Sequence, residues 1–158
     1  MYSVLFVCTA NVCRSPMAMA LLKSKVKSQD DLWQIKSAGV WAMPGYPVAD
    51  NTRLLMSELG VDLSEYVSQP ITPELIADFN LILTMESGQK EALKAAFPQH
   101  AAKVFLLSEM IGENNEVVDP IGRPMVDFKE TAREIHRILT MGFDRIKQLA
   151  SDPEARSD

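Results

Sequence analysis

Apolar residues recur along this chain with two periods, and the two alternate. Ser3-Val4-Leu5-Phe6-Val7 is a short run rich in β-branched and aromatic residues, which predicts a buried strand. Leu81-Ile82-Leu83-Thr84-Met85 and Lys103-Val104-Phe105-Leu106-Leu107 predict two more, and Trp33-Gln34-Ile35-Lys36-Ser37-Ala38 alternates as a strand does. Helical spacing fills the gaps. Residues 16–28 place Ala18, Leu21, Leu22 and Val26 on one face, with Lys23, Lys25 and Lys27 mostly elsewhere. Leu54, Leu55 and Leu59 predict a helix over 48–59 that stops at Gly60. Another is predicted over 87–97. A last helix over 126–150 carries Phe128, Ala132, Ile135, Leu139, Ile146 and Leu149 near one face. Strands joined through helices imply a parallel sheet covered on both sides. The expected fold is an α/β three-layer sandwich with a four-stranded parallel sheet. Residues 1–150 read as one domain, and the polar 151–158 as a frayed end.

The segment between the first strand and the first helix carries the chemistry. It reads Cys8-Thr9-Ala10-Asn11-Val12-Cys13-Arg14-Ser15-Pro16. Ser15 is expected to cap the helix, with Pro16 at its first position. A strand, a tight loop and a helix N-terminus aim backbone N–H groups at one point, and such a nest attracts an anion, phosphate above all. Residues Thr9 to Ser15 are the expected phosphate-binding loop. Cys8 is short enough to sit beneath it, where the helix dipole and Arg14 favour the thiolate. Arg14 offers a planar fork for two phosphoryl oxygens, which a lysine lacks. Asn11 tolerates left-handed backbone angles and can tie the loop to itself through its amide. The Ser15 hydroxyl can donate to the thiolate if the helix cap leaves it free to do so. In open parallel sheets ligands bind at the carboxyl ends of strands, where Cys8 stands.

The loop resembles that of the low-molecular-weight protein tyrosine phosphatases, whose pattern is Cys, two variable positions, Asn, one variable position, Cys, Arg, Ser, Pro. Ser37-Ala38-Gly39, Gly60-Val61-Asp62-Leu63, Asn80 to Glu86 and Asp119-Pro120-Ile121-Gly122 resemble further family motifs, so the likeness spans about residues 2–150. It implies a phosphatase that works through a cysteinyl-phosphate intermediate, with no metal and no cofactor. Its partners would be a phosphorylated protein substrate and inorganic phosphate as product. Asp119 is then the expected general acid. It stands in a long irregular segment, about 108–125, and Pro120 holds it extended. Asp127 is a weaker rival that reads as a helix cap.

The family commonly carries an aromatic residue after Asp-Pro, and here that position is Ile121. Val12, Trp41 and Ile121 are the expected walls of the substrate pocket, with Tyr46 a further candidate. Members that act on phosphoarginine resemble this chain but carry Thr at the place of Val12, whereas tyrosine-directed members tend to carry Ile. Val12 cannot hydrogen-bond a guanidinium, which favours an aryl ester. Phosphotyrosine hydrolysis is therefore the expected reaction, with protein arginine phosphatase as the alternative. An arsenate reductase using an external thiol is a further one, because no cysteine follows Cys13 to serve an internal relay. Cys13 is also a candidate redox partner for oxidised Cys8. A binding module without turnover would need Arg14 but neither Cys8 nor Asp119.

Composition narrows the setting. The 158 residues are 47% hydrophobic, enough for a proper core. No apolar run approaches a membrane span, and Met1-Tyr2-Ser3 leads into a strand instead of a signal peptide. Two cysteines in one loop do not resemble a secreted disulfide framework, nor can they close a four-ligand zinc site. The reading is cytoplasmic. A net charge of −5 without a Lys/Arg block argues against a nucleic-acid partner. The nine methionines read as core filler. Oligomeric state leaves no mark in the sequence.

Overall fold

The computed structural model describes residues 1–154. Among them, strands β1 (Tyr2–Cys8), β2 (Trp33–Gly39), β3 (Leu81–Thr84) and β4 (Val104–Leu106) form one parallel sheet in the order β2-β1-β3-β4. The helices are α1 (Arg14–Lys25), α2 (Asp50–Glu58), α3 (Pro73–Ala77), α4 (Ser87–Ala96), α5 (Met125–Met141) and α6 (Phe143–Ala150). Val4 pairs with Ile35 on one side and Leu81 on the other, so β1 is central and buried from Ser3 to Cys8. The pleat sends Val4, Phe6 and Cys8 into a core shared with α1, α2, α5 and α6. Leu5 and Val7 face the second core, under α3 and α4. The three-layer α/β sandwich expected from the alternation is the one found, and its central strand delivers Cys8 to the carboxyl edge.

Tertiary packing moves several boundaries. Ser15 does not cap α1. Cys13 holds the cap position, Ser15 is the second helical residue, and its hydroxyl turns toward Cys8 and Asn11. Helix α1 ends at Lys25, followed by 3-10 turns over Lys27–Leu32. It is buried continuously from Arg14 to Leu22 and not along one stripe, because it lies between the sheet and helices α2 and α5. In α2 the buried stripe is Thr52, Leu55 and Met56, which leaves Leu54 and Leu59 exposed. A short helix, α3, was not expected; Thr72 caps it by accepting from Leu75 N–H at 3.0 Å, with Pro73 at its first position.

The single helix expected over 126–150 is broken at Gly142. A Cβ there would stand 2.9 Å from both Met110 Cβ and Met110 O, so the 3-10 turn Leu107–Ile111 closes on the chain at that point. That turn also shortens the irregular segment, which begins at Gly112. Met1, Met43 and Met141 are exposed, so the methionines are not all core filler. Of the end expected to fray, 151–158, Ser151 N–H donates to Lys147 O at 3.1 Å and Glu154 N–H to Asp152 Oδ1 at 3.0 Å, while 155–158 lie outside the described residues. Among the described residues no helix is long and apolar enough to cross a membrane.

Candidate active site

The loop after β1 is held from several directions. Val40 N–H donates to Cys8 O at 3.0 Å, Trp41 N–H to Thr9 O at 3.0 Å, and Ala49 N–H to Val12 O at 2.8 Å. Gly39, paired with Cys8, has no room for a side chain: a Cβ would meet the Thr9 carbonyl, stand 2.8 Å from Ala42 Cβ and 3.1 Å from Asn11 Cβ. Asn11 turns the loop with φ of 60°, the left-handed region that Asn tolerates. Its side chain is fully buried and fully used. The amide donates to Ser15 Oγ at 2.8 Å and Ser37 Oγ at 3.0 Å, while Oδ1 accepts from Tyr66 Oη at 2.7 Å and Gln69 N–H at 3.0 Å.

Those directions close a ring. With Tyr66 donating to Asn11 and Asn11 donating to Ser37, the Ser37 hydroxyl is left to donate to Tyr66 Oη. Burial pushes the Tyr66 hydroxyl above its ordinary pKa, which keeps it a donor. Ser15 accepts from Asn11, and its own proton lies between Cys8 Sγ at 2.9 Å and the Ala38 carbonyl at 3.4 Å. Around the same sulfur, none of the backbone N–H groups from Ala10 to Ser15 donates to a protein acceptor among the described residues. Unpaired N–H groups at a helix start are the makings of an anion cradle.

Arg14 is buried, with 3% of its side chain exposed, and its guanidinium is braced. Nη1 donates to Val117 O at 2.8 Å and stands 3.1 Å from Glu86 Oε1. Nη2 lies 3.7 Å from Asp119 Oδ2. Asp119 is half-exposed and its Oδ1 accepts from Ile121 N–H at 3.1 Å, a turn that points the other oxygen at Arg14. The segment carrying it is anchored by Val117 N–H to Met85 O at 2.9 Å and Thr131 Oγ1 to Val118 O at 3.2 Å. Asp127, in the first turn of α5, pairs at 3.9 Å with Arg123, which precedes the helix, and makes no cap bond.

Cys13 is buried beside Thr52 Oγ1, which approaches its sulfur at 3.5 Å. Burial pushes its thiol up to about 12, so it stays protonated at neutral pH. Ala10, Val12 and Ile121 stand around Cys8, Arg14 and Asp119. Trp41 and Tyr46 lie across Val12, in a cleft that adjoins this pocket. Four residues with structural parts here were not singled out from the sequence. Glu86 braces Arg14, Ser37 and Tyr66 lock Asn11, and Gln89 Nε2 donates to Thr9 Oγ1 at 3.0 Å. Glu86 and Gln89 also form a capping box at the start of α4, the one local signal that marks them.

The geometry has relatives. Residues 3–152 match the model of the low molecular weight phosphotyrosine protein phosphatase family. The probable low molecular weight protein-tyrosine-phosphatase EpsP of Ralstonia nicotianae is 34% identical over 147 residues, 93% of this chain and 97% of that one. The protein-arginine-phosphatase of Bacillus subtilis is also 34% identical, over 92% of this chain and 97% of its own. The crystal structure of a low molecular weight protein tyrosine phosphatase from T. tengcongensis superposes with a TM-score of 0.86 at 34% identity, covering 92% of this chain and 99% of that one. A cysteine that shares its pocket with the loop Ala10 to Arg14 is thus accompanied by family likeness along nearly the whole chain, which belongs to the low molecular weight phosphotyrosine protein phosphatases.

Proposed function

We propose that this protein hydrolyses phosphotyrosine in protein substrates through a cysteinyl-phosphate intermediate, with Cys8, Arg14 and Asp119 as its catalytic residues. The observation that supports the chemistry is the sulfur of Cys8, 2.9 Å from Ser15 Oγ, in one pocket with Ala10 to Arg14, whose N–H groups have no protein acceptor among the described residues. In the first step the thiolate attacks phosphorus. The S–P bond forms, the P–O bond to the leaving oxygen breaks, and Asp119 gives that oxygen its proton. In the second step the Asp119 carboxylate takes a proton from water, which attacks phosphorus and breaks the S–P bond. Inorganic phosphate leaves and Cys8 returns as thiolate. Thr9 to Ser15 hold the phosphoryl oxygens, and Arg14 exchanges its distant contact with Asp119 for one of them. Cys13 serves as a redox partner: once a peroxide has oxidised Cys8 to the sulfenic acid, the Cys13 sulfur attacks the Cys8 sulfur, the S–S bond forms, the S–O bond breaks, and the hydroxyl leaves as water with the Cys13 proton. A reducing, cytoplasmic setting suits a nucleophile that must remain a thiol.

The substrate assignment rests on the pocket mouth. Ala10, Val12 and Ile121 are aliphatic, and an aryl ring packs against such walls while a guanidinium needs acceptors. The Asp119 carboxylate, with an arginine phosphatase among relatives of equal identity, favours phosphoarginine as the second reading. Matched phosphotyrosine and phosphoarginine peptides, assayed side by side with Cys8→Ser as blank, decide between them. Faster phosphotyrosine turnover is expected; faster phosphoarginine turnover would move the assignment to the second reading.

A further inference from the structure

Val12 separates two hollows. On one side stand Cys8, Arg14 and Asp119; on the other lies a cleft of about 180 Å³ formed with Trp41, Met43, Tyr46 and Ser68. Ala10 and Val12 line both. Trp41, Met43 and Tyr46 are 82%, 64% and 55% exposed, a concentration of large apolar side chains that a water-facing loop seldom carries without a use.

Their backbone is fixed. Ser68, only 1% exposed, accepts from Tyr46 N–H at 3.0 Å and donates from Oγ to Met43 O at 2.5 Å. Ser68 N–H donates to Tyr46 O at 2.7 Å and Gly45 N–H to Ser68 O at 2.9 Å. At its two ends the segment is bonded to the phosphate loop, through Trp41 N–H to Thr9 O and Ala49 N–H to Val12 O. The apolar side chains are therefore held out in water on a backbone that need not be ordered on binding. The hydroxyl of Ser68 is already spent on the backbone, which leaves little to partner a charged guest.

We propose that this cleft is a second substrate subsite, which receives an apolar side chain one or two positions from the phosphoresidue. The proposal rests on the phosphatase reading above. Continuity identifies the occupant: with a shared wall at Val12, a residue seated over Cys8 carries its chain neighbours past the cleft, at about 3.3 Å per residue for an extended peptide. The subsite would then select substrates by sequence, independently of the phosphorylated group.

The test uses peptides bearing whichever phosphoresidue the enzyme turns over faster, with Leu or Ser placed in turn at each of the two positions on either side. At one position Leu is expected to raise kcat/KM about tenfold over Ser, mainly through KM. Met43→Ser together with Tyr46→Ser should bring that ratio close to one. Because both peptides meet the same enzyme, partial loss of folded protein cancels. Equal kcat/KM at all four positions would overturn the proposal, and so would an unchanged ratio in the double variant. A dimer that buries this face, detected by sedimentation alongside absent peptide selectivity, would assign the cleft to a second copy instead. Wild-type turnover of p-nitrophenyl phosphate separates the two readings: no turnover sinks the phosphatase assignment, while turnover without peptide preference sinks only the subsite.

Discussion

Tyr66 Oη donates to Asn11 Oδ1 at 2.7 Å, so a residue far along the chain holds the turn of the loop after β1. Asn11 passes that constraint to Ser15, and Ser15 to the sulfur of Cys8. Tyr66→Phe removes the hydroxyl and keeps the ring. It leaves Ser37 without its acceptor and Asn11 with one partner fewer, a loss of about 1–3 kcal/mol in stability. A fall of about tenfold in kcat with little change in KM is expected, because the loop is loosened where it meets Cys8, the proposed nucleophile. Urea unfolding and steady-state kinetics on an aryl phosphate check both; unchanged kcat would mean the ring is scaffolding alone.

Gly39 is the tightest point beneath the loop. An alanine there drives its Cβ into the Thr9 carbonyl, a backbone atom that cannot swing aside, and into Ala42 Cβ at 2.8 Å. The loop must shift, and a shift of that size costs about a hundredfold in rate. Gly39→Ala should therefore fold yet lose most of its turnover. Circular dichroism with kinetics tests this, and full activity would show that the loop tolerates displacement.

Alkaline pH should weaken the fold through Cys13. Burial raises its thiol from the usual 9.0 to about 12. A folded pKa above the unfolded one stabilises the protein fully below about pH 9, and that contribution is lost as pH rises toward about 12. Tyr66, raised in the same direction, adds to the decline above its usual 10.0. The Tm of wild type should fall more steeply between pH 9 and 12 than that of Cys13→Ala; parallel curves would remove Cys13 as the cause.

Asp119 is the proposed proton donor to the leaving group. Asp119→Asn keeps the shape and the Ile121 turn but carries no transferable proton. Phenyl phosphate, with a poor leaving group, should slow by about 10²–10⁴-fold, and an activated nitrophenyl ester far less. Equal losses on both would point to another acid.

Much of this site was legible in the chain because its strongest signals are local. The buried run from Ser3 to Val7, the Cys8-to-Pro16 loop and the Asp-Pro at 119 each declare themselves within a few residues. What escaped depends on distant contacts. The Ser15 hydroxyl was expected both to cap the helix and to reach the Cys8 sulfur, and the contacts with Cys8 and the side-chain amide of Asn11 leave the cap unmade. Glu86 and Tyr66 act through Arg14 and Asn11, partners that no spacing rule connects to them. The helix expected over 126–150 breaks at Gly142, where the turn at Met110 is pressed against the chain. Trp41 was expected at the wall of the catalytic pocket, whereas the bonds that carry its loop past Val12 set it in the neighbouring cleft.

The nucleophile is the claim on which the rest depends, and rapid mixing tests it most directly. Wild-type enzyme is mixed with excess p-nitrophenyl phosphate, quenched within the first turnover and digested for mass spectrometry. A burst of nitrophenol close to one equivalent, with a phosphoryl adduct on the peptide containing Cys8, is the predicted result. A burst-free trace with no adduct, or an adduct on any other residue, would contradict it.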